Sequence, residues 1–201
     1  MRKSNKEAAK TRERIVAAAA RSFRENGIVG AGLSRVMGAA GLTHGGFYKH
    51  FASKEEVVAE ALDHIARTGL AKVAAAAASA PEGERAVAFI DAYLSVAHRD
   101  DPGGGCGFAA LGPEIAREGP AARAANGERY RAFVDAFAAT HPGFAGPAGR
   151  SRAQACVATM IGAMICARAV GDPALSDAVL ESARDALVAS LGAATGQGGG
   201  A

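Results

Sequence analysis

Apolar residues return every third or fourth position in segment after segment of this chain: Ile15, Ala19 and Phe23; Val57, Ala61 and Ile65; Phe89, Ile90, Tyr93 and Leu94; Tyr130, Phe133, Val134 and Phe137. That spacing puts each set on one face of an α-helix. Composition points the same way, with 49% hydrophobic residues, many of them alanine, only 5% aromatic residues and no tryptophan. Alanine is the best helix former, and few segments are rich in the β-branched residues that strands favour. The sequence predicts an all-α protein of about nine helices.

Glycine, proline and capping residues divide the pattern. The first helix is predicted over about 11–26, with Thr11 as its N-cap and Asn26-Gly27 as a left-handed stop. A short second helix over about 33–40 ends at Gly41, and Leu42 plugs the turn. Thr43 is placed to cap a third helix carrying Phe47 and Phe51 on one face. Ser53-Lys54-Glu55-Glu56 reads as a capping box, opening a fourth helix that runs to about Ala80. Further helices are predicted over about 84–98, 108–117, 121–140, 149–170 and 173–191, separated by glycine and proline clusters such as "RDDPGGGCG" and "HPGFAGPAG".

Charge is uneven along the chain. Residues 1–60 carry 11 Lys+Arg against 6 Asp+Glu, whereas residues 61–201 carry 12 against 14, so only the first third is basic. Arg2, Lys3, Lys6, Lys10, Arg12 and Arg14 crowd its start. Such a run is either a solvated arm or one that lies along nucleic acid. The basic start leads into an amphipathic segment, not an apolar signal core, and the longest apolar run, 153–167, is shorter than a bilayer span. A soluble cytoplasmic protein without membrane contact is expected. Cys106, Cys156 and Cys166 have no metal-type spacing, so neither disulfides nor a metal is expected, and no cofactor is indicated.

A basic arm followed by three short helices, the second and third joined by a tight glycine turn, is the outline of a helix-turn-helix. The segments "RIVAAAARSFRENG", Arg14 to Gly27, and "AGLTHGGFYKHFASKEEV", Ala40 to Val57, carry a closer likeness. Through them the chain resembles the TetR/AcrR family of bacterial transcriptional regulators. The resemblance implies a DNA-binding domain over 1–52 and a helical ligand-binding and dimerisation domain over 53–192, opened by a linking helix over 53–80. A glycine-rich tail over 193–201 is expected to be disordered.

Gly45 and Gly46 stand where the neighbouring residues ask for a helix, at a cost of about 1 kcal/mol each relative to alanine. A recognition helix enters the major groove by its N-terminal end, and absent side chains there allow close approach to base edges and phosphate. The alternative is that both glycines relieve crowding against the first helix. His44 is the candidate for reading a base edge. The family pattern puts Tyr48, Lys49, His50 and Lys54 on phosphates. Thr43, Ser34 and Arg35 are further candidates for the DNA backbone. Gly32 departs from the pattern, which usually has a Ser/Thr cap there.

The last two long helices are rich in small residues, including Ala158, Gly162, Ala163 and Ala167 on one and Ala178, Ala183 and Ala186 on the other. They suit a homodimer interface, and twofold symmetry suits a palindromic double-stranded operator. Phe89, Tyr93, His98, Phe108, Tyr130, Phe133 and Phe137 are candidates to line an inducer pocket, although aromatic residues at helical spacing also make ordinary core. Cys106, after three glycines and before a helix, is a candidate sensor thiol. No nucleophile, base and orienting group cluster in the sequence, so no enzymatic activity is expected. The expected function is a ligand-responsive repressor released from its operator by a small molecule, with thiol sensing through Cys106 as the alternative.

Overall fold

The computed structural model describes residues 5–193, which form nine α-helices linked by short turns, with no β-strand among the described residues. Arg2 and Lys3 of the basic start, and the tail beyond Ala193, lie outside the described residues. The fold is all-α, as the periodicity predicts, but two elements differ in kind. The expected third helix is a 3₁₀ segment, His44–Lys49, and the expected helix over 84–98 is two helices. The break falls where Ser95 accepts a hydrogen bond from the His98 N–H (3.1 Å) and starts a new helix as its cap.

Helix α1 (Asn5–Gly30) begins well before Thr11. Thr11 is no cap: its hydroxyl donates to the Glu7 carbonyl (2.9 Å) inside the helix. Good helix formers, Ala8 and Ala9, and Glu7 in the first turn favour this extension. Gly27 interrupts α1 with φ 74°, ψ 164°, where the sequence predicts a stop. Helix α2 (Leu33–Ala39) starts at Gly32 without a side-chain cap and ends in a Schellman turn. There Leu42 N–H donates to the Met37 carbonyl, Gly41 N–H donates to Gly38, and Gly41 takes φ 70°.

The remaining helices are α3 (Lys54–Ser79), α4 (Arg85–Tyr93), α5 (Val96–Asp100), α6 (Gly107–Ala116), α7 (Pro120–Ala138), α8 (Gly146–Ala169) and α9 (Pro173–Ala193). They divide into two compact units. One takes the described residues up to Thr68 together with Pro102–Glu118; the other takes Gly69–Asp101 and the described residues after Glu118. This division by compactness falls inside the linking helix, whereas the functional boundary expected from the sequence falls at its start.

In the first unit Ile15, Ala19, Phe23, Val36, Met37, Phe47, Phe51, Val57, Ala61 and Ile65 share one core with Leu111 and Ile115 of α6. Helix α6 seats against α1. Glu114 accepts a hydrogen bond from Ile28 N–H (2.9 Å) at the kink, and Arg24 Nε donates to the Gly103 carbonyl (2.6 Å). In the second unit α8 lies along both α7 and α9, and α4 packs on α9. Its interior holds Phe89, Ile90, Tyr93, Phe133, Phe137, Val157, Met160, Met164, Leu180 and Leu187. No helix among the described residues is long and apolar enough to cross a membrane.

Candidate nucleic-acid interface

The segment His44–Lys49 is two-faced. Phe47 is fully buried and stacks on buried Phe51, with ring centroids 5.4 Å apart. Burying those two rings anchors the segment, since each full aromatic burial is worth about 1.5–3 kcal/mol. On the other side Tyr48 is 70% exposed, its ring meeting Phe47 edge-on, and Lys49, His44 and Gly45 are exposed too. The segment follows Thr43, which sits at the N-cap position with extended backbone but whose side chain makes no capping bond. That expectation of a Thr43 side-chain cap is therefore corrected. Without a cap and with two adjacent glycines, the backbone closes tighter 3₁₀ turns, as in Gly46 N–H to the Thr43 carbonyl (3.0 Å).

The glycine pair can be tested by asking what a Cβ would meet. At Gly45 it meets nothing within 4 Å; at Gly46 it meets only the Met37 methyl at 3.7 Å and the Thr43 hydroxyl at 4.0 Å, ordinary contact distances. Neither glycine has positive φ. Intrachain crowding against the first helix therefore does not explain them.

The other candidates gather beside this face. Ser34 is exposed on α2 with its Oγ 3.3 Å from His44 Nδ1, so the two proposed contact residues are hydrogen-bond neighbours. Arg35 is exposed, and its guanidinium donates to the Asn26 side chain (2.7 Å), which orients it. His50 is half-buried at the end of the segment, and its N–H donates to the Phe47 carbonyl (2.9 Å). Lys54 opens α3 and is half-buried. The capping box forms beside it: Glu56 N–H donates to Ser53 Oγ (3.3 Å), and the Glu56 carboxylate accepts from Ala52 N–H (2.6 Å). That backbone bond, and then the Arg12 side chain, hold the Glu56 carboxyl below its ordinary value.

Two cations of the basic start do not belong to this face. Arg12 and Arg14 turn onto the chain itself, and Arg12 bonds Glu60 and Glu56. Charge counting along the sequence cannot separate them from solvent-facing neighbours such as Lys10.

The profile of the bacterial regulatory proteins of the tetR family matches residues 15–61. The HTH-type transcriptional regulator TtgR of Pseudomonas putida is 37% identical over 68 residues, 34% of this chain and 32% of its own length. The matched part thus spans about a third of that relative. A TetR transcriptional regulator from Chloroflexus aurantiacus is 29% identical, with TM-score 0.72, over 92% of this chain and 95% of its own. A TetR-family transcriptional regulator from Cytophaga hutchinsonii shares the fold with TM-score 0.77 at 24% identity, over 94% and 98% of the two chains. Over residues 15–61 the chain is similar to the tetR family, and its fold is that of TetR-family regulators.

The matched TetR region holds the helix-turn-helix and the start of α3, so it contains every candidate DNA contact named above. The aromatic candidates lie elsewhere. Phe89, Tyr93, Phe133 and Phe137 are buried and touch one another, with Phe89–Phe137 centroids at 5.2 Å and Tyr93–Phe133 at 5.7 Å. The His98 ring meets Tyr93 edge-on at 4.7 Å and its Nδ1–H donates to the Tyr93 carbonyl (2.6 Å). Tyr130 is half-buried, its hydroxyl donating to the Gln154 carbonyl (3.3 Å). Phe108 is not with them: it belongs to α6 in the first unit. Cys106 stands at the N-cap position of α6 and is 9% exposed. Among the described residues no group of three or more His, Cys, Asp or Glu is arranged to hold a metal ion.

Proposed function

We propose that this protein is a homodimeric transcriptional repressor that binds a palindromic operator and is released by a small-molecule inducer. The observation that carries the reading is the two-faced recognition segment, with Phe47 and Phe51 buried, Tyr48, Lys49, His44 and Gly45 turned outward, and two glycines that no intrachain contact requires. Gly45 and Gly46 let the segment sit close to the floor of the major groove, His44 reads a base edge, and Thr43, Tyr48, Lys49, His50 and Lys54 hold phosphates. Ser34 and Arg35 meet the backbone beside the groove. Two heads related by a twofold axis would read half-sites about 34 Å apart.

Dimerisation is assigned to α8 and α9. Ala158, Ala178 and Ala186 are exposed, and Ile165 and Leu175 are 38% and 51% exposed. Small side chains let helices approach closely, and the apolar ones gain by burial. Ala167 faces the interior instead, being 2% exposed, so only part of the small-residue pattern is available to a second copy. The inducer is assigned to the second unit, around the aromatic group of Phe89, Tyr93, His98, Tyr130, Phe133 and Phe137, and is a mixed apolar molecule. Because operator and inducer compete for conformations, each weakens the other by the same factor.

The thiol-sensing alternative rests on Cys106 at a helix N-terminus, where a thiolate is favoured. Its near-complete enclosure weighs for the small-molecule reading. Cys106→Ser leaving operator release by oxidants and quinone-type electrophiles unchanged would remove the alternative.

The test of the main reading is binding to a palindromic fragment from beside the protein's own gene. Steeply salt-dependent binding that is lost in Tyr48→Ala and Lys54→Ala is expected. Retained binding in both variants would overturn the contact assignment, and no binding by the wild type would overturn the repressor reading.

A further inference from the structure

Helix α1 sends two arginines, two positions apart, to the ends of the two helix-turn-helix elements. Arg14 donates from Nη2 to the carbonyl of Ala40, the C-cap of α2. Arg12 donates from Nη1 to the carbonyl of His50, the C-cap of the recognition segment. A helix end exposes unpaired carbonyls and carries partial negative charge, so a guanidinium is well matched to it.

Each arginine is itself held. The Arg12 guanidinium lies over the Phe51 ring, 4.1 Å from its centroid, while Nε donates to Glu60 (3.1 Å) and Nη2 to Glu56 (2.5 Å) and Glu60. Those two carboxylates sit on the first turns of α3, so one side chain joins α1, the recognition segment and α3. Arg14 lies against the Schellman turn: a side chain at Gly41 would meet its Nη2 at 3.1 Å. The planar fork of arginine allows several such bonds at once, which a lysine ammonium cannot reproduce in the same geometry.

We propose that Arg12 and Arg14, which read in the sequence as part of a basic run that is either solvated or laid along nucleic acid, are positioning residues: they pin the carbonyl ends of α2 and the recognition segment to α1 and so fix the angle at which His44–Lys49 is presented to the groove. This rests on the repressor reading above. A pinned segment loses little orientational freedom on binding, and the Arg12 charge is engaged by Glu56 and Glu60 and is not spent on phosphate.

Two variants separate positioning from phosphate contact. Arg12→Lys keeps the charge but loses the fork, and Arg12→Gln combined with Glu60→Gln removes the pair without changing net charge. With the operator fragment, both are expected to lose affinity by about tenfold, comparable to misreading one base pair. Binding to random DNA, and the slope of log affinity against log salt, stay at wild-type values. A DNA-free readout accompanies this: amide hydrogen exchange at His50 and Phe51, both bonded to the Phe47 carbonyl, accelerates in the variants while core amides of α1 do not. Wild-type operator affinity in Arg12→Lys, or a salt slope shallower by about 0.9 as one lost phosphate contact gives, would overturn the proposal. A wild-type protein that binds no operator while its variants still show faster exchange would overturn the repressor reading and leave the pinning role intact.

Discussion

Replacing Gly45 by alanine separates local stability from DNA recognition. The added methyl meets nothing within 4 Å, and the residue has no positive φ to oppose it. Alanine narrows the unfolded chain's freedom and favours helical turns, which stabilises by about 0.4–1 kcal/mol where the conformation is compatible. For a chain of this length the melting temperature should rise by about 2–4 °C per kcal/mol, or stay level. In the groove the same methyl occupies the space that close approach requires. Holding the segment away weakens at least one base contact worth about 1–3 kcal/mol, and each 1.4 kcal/mol is about tenfold in affinity. Circular dichroism melting and fluorescence anisotropy with a labelled operator measure the two effects on one preparation. A variant as stable as wild type with affinity at least about tenfold lower is the expected result. Wild-type affinity would refute the explanation of the glycine pair, and a melting temperature several degrees lower would refute the open space around Gly45.

Three other outcomes follow from the first and second units. Leu111→Ala, at a fully buried position, should destabilise by about 2–5 kcal/mol, read as a lower urea midpoint for the helix-turn-helix signal, not only for the rest of the chain. Glu114→Gln weakens the charged acceptor at the α1 kink and should cost about 1 kcal/mol in the same assay, a hydrogen bond to a charged group being worth somewhat more when shielded. Burial, and then the Arg168 and Lys72 charges, hold the His98 imidazole below its ordinary value against the opposing Tyr93 carbonyl and Asp101. The unfolded chain therefore takes up that proton first, so this contribution is full above about pH 6.5 and fades as pH falls below it. Melting temperatures across that range should fall less steeply in His98→Gln; an unchanged slope would assign the effect to other groups, among them His64, which burial also lowers.

The helices were legible in the sequence because their signals are local. Phe47 and Phe51 four apart, Ser53 three before Glu56, and Gly41 after α2 each act through neighbours within one or two turns, and each does what its spacing implies. Thr43 and Thr11 show the limit: both have a capping residue's chemistry, but one makes no bond and the other lies inside a helix already begun. Ser95 shows the converse, a cap hidden inside an apolar stripe that reads as continuous. The inward turn of Arg12 depends on partners 38 to 48 positions away, and no charge pattern along the chain encodes it. Residue type groups Phe108 with the other aromatics, whereas its place is decided by α6 joining α1.

That joining has a consequence for how the protein is made. Leu111 and Ile115 complete an interior whose other members end at Ile65, so the ribosome must release residues well past the helix-turn-helix before that interior can close. Contacts between α1 and α6 carry a loop-closure cost that local helix contacts do not. Nascent chains arrested before α6, and gene fragments cut after α3, should expose apolar surface and fail to yield a compact operator-binding piece. Operator binding would then certify that translation has passed α6.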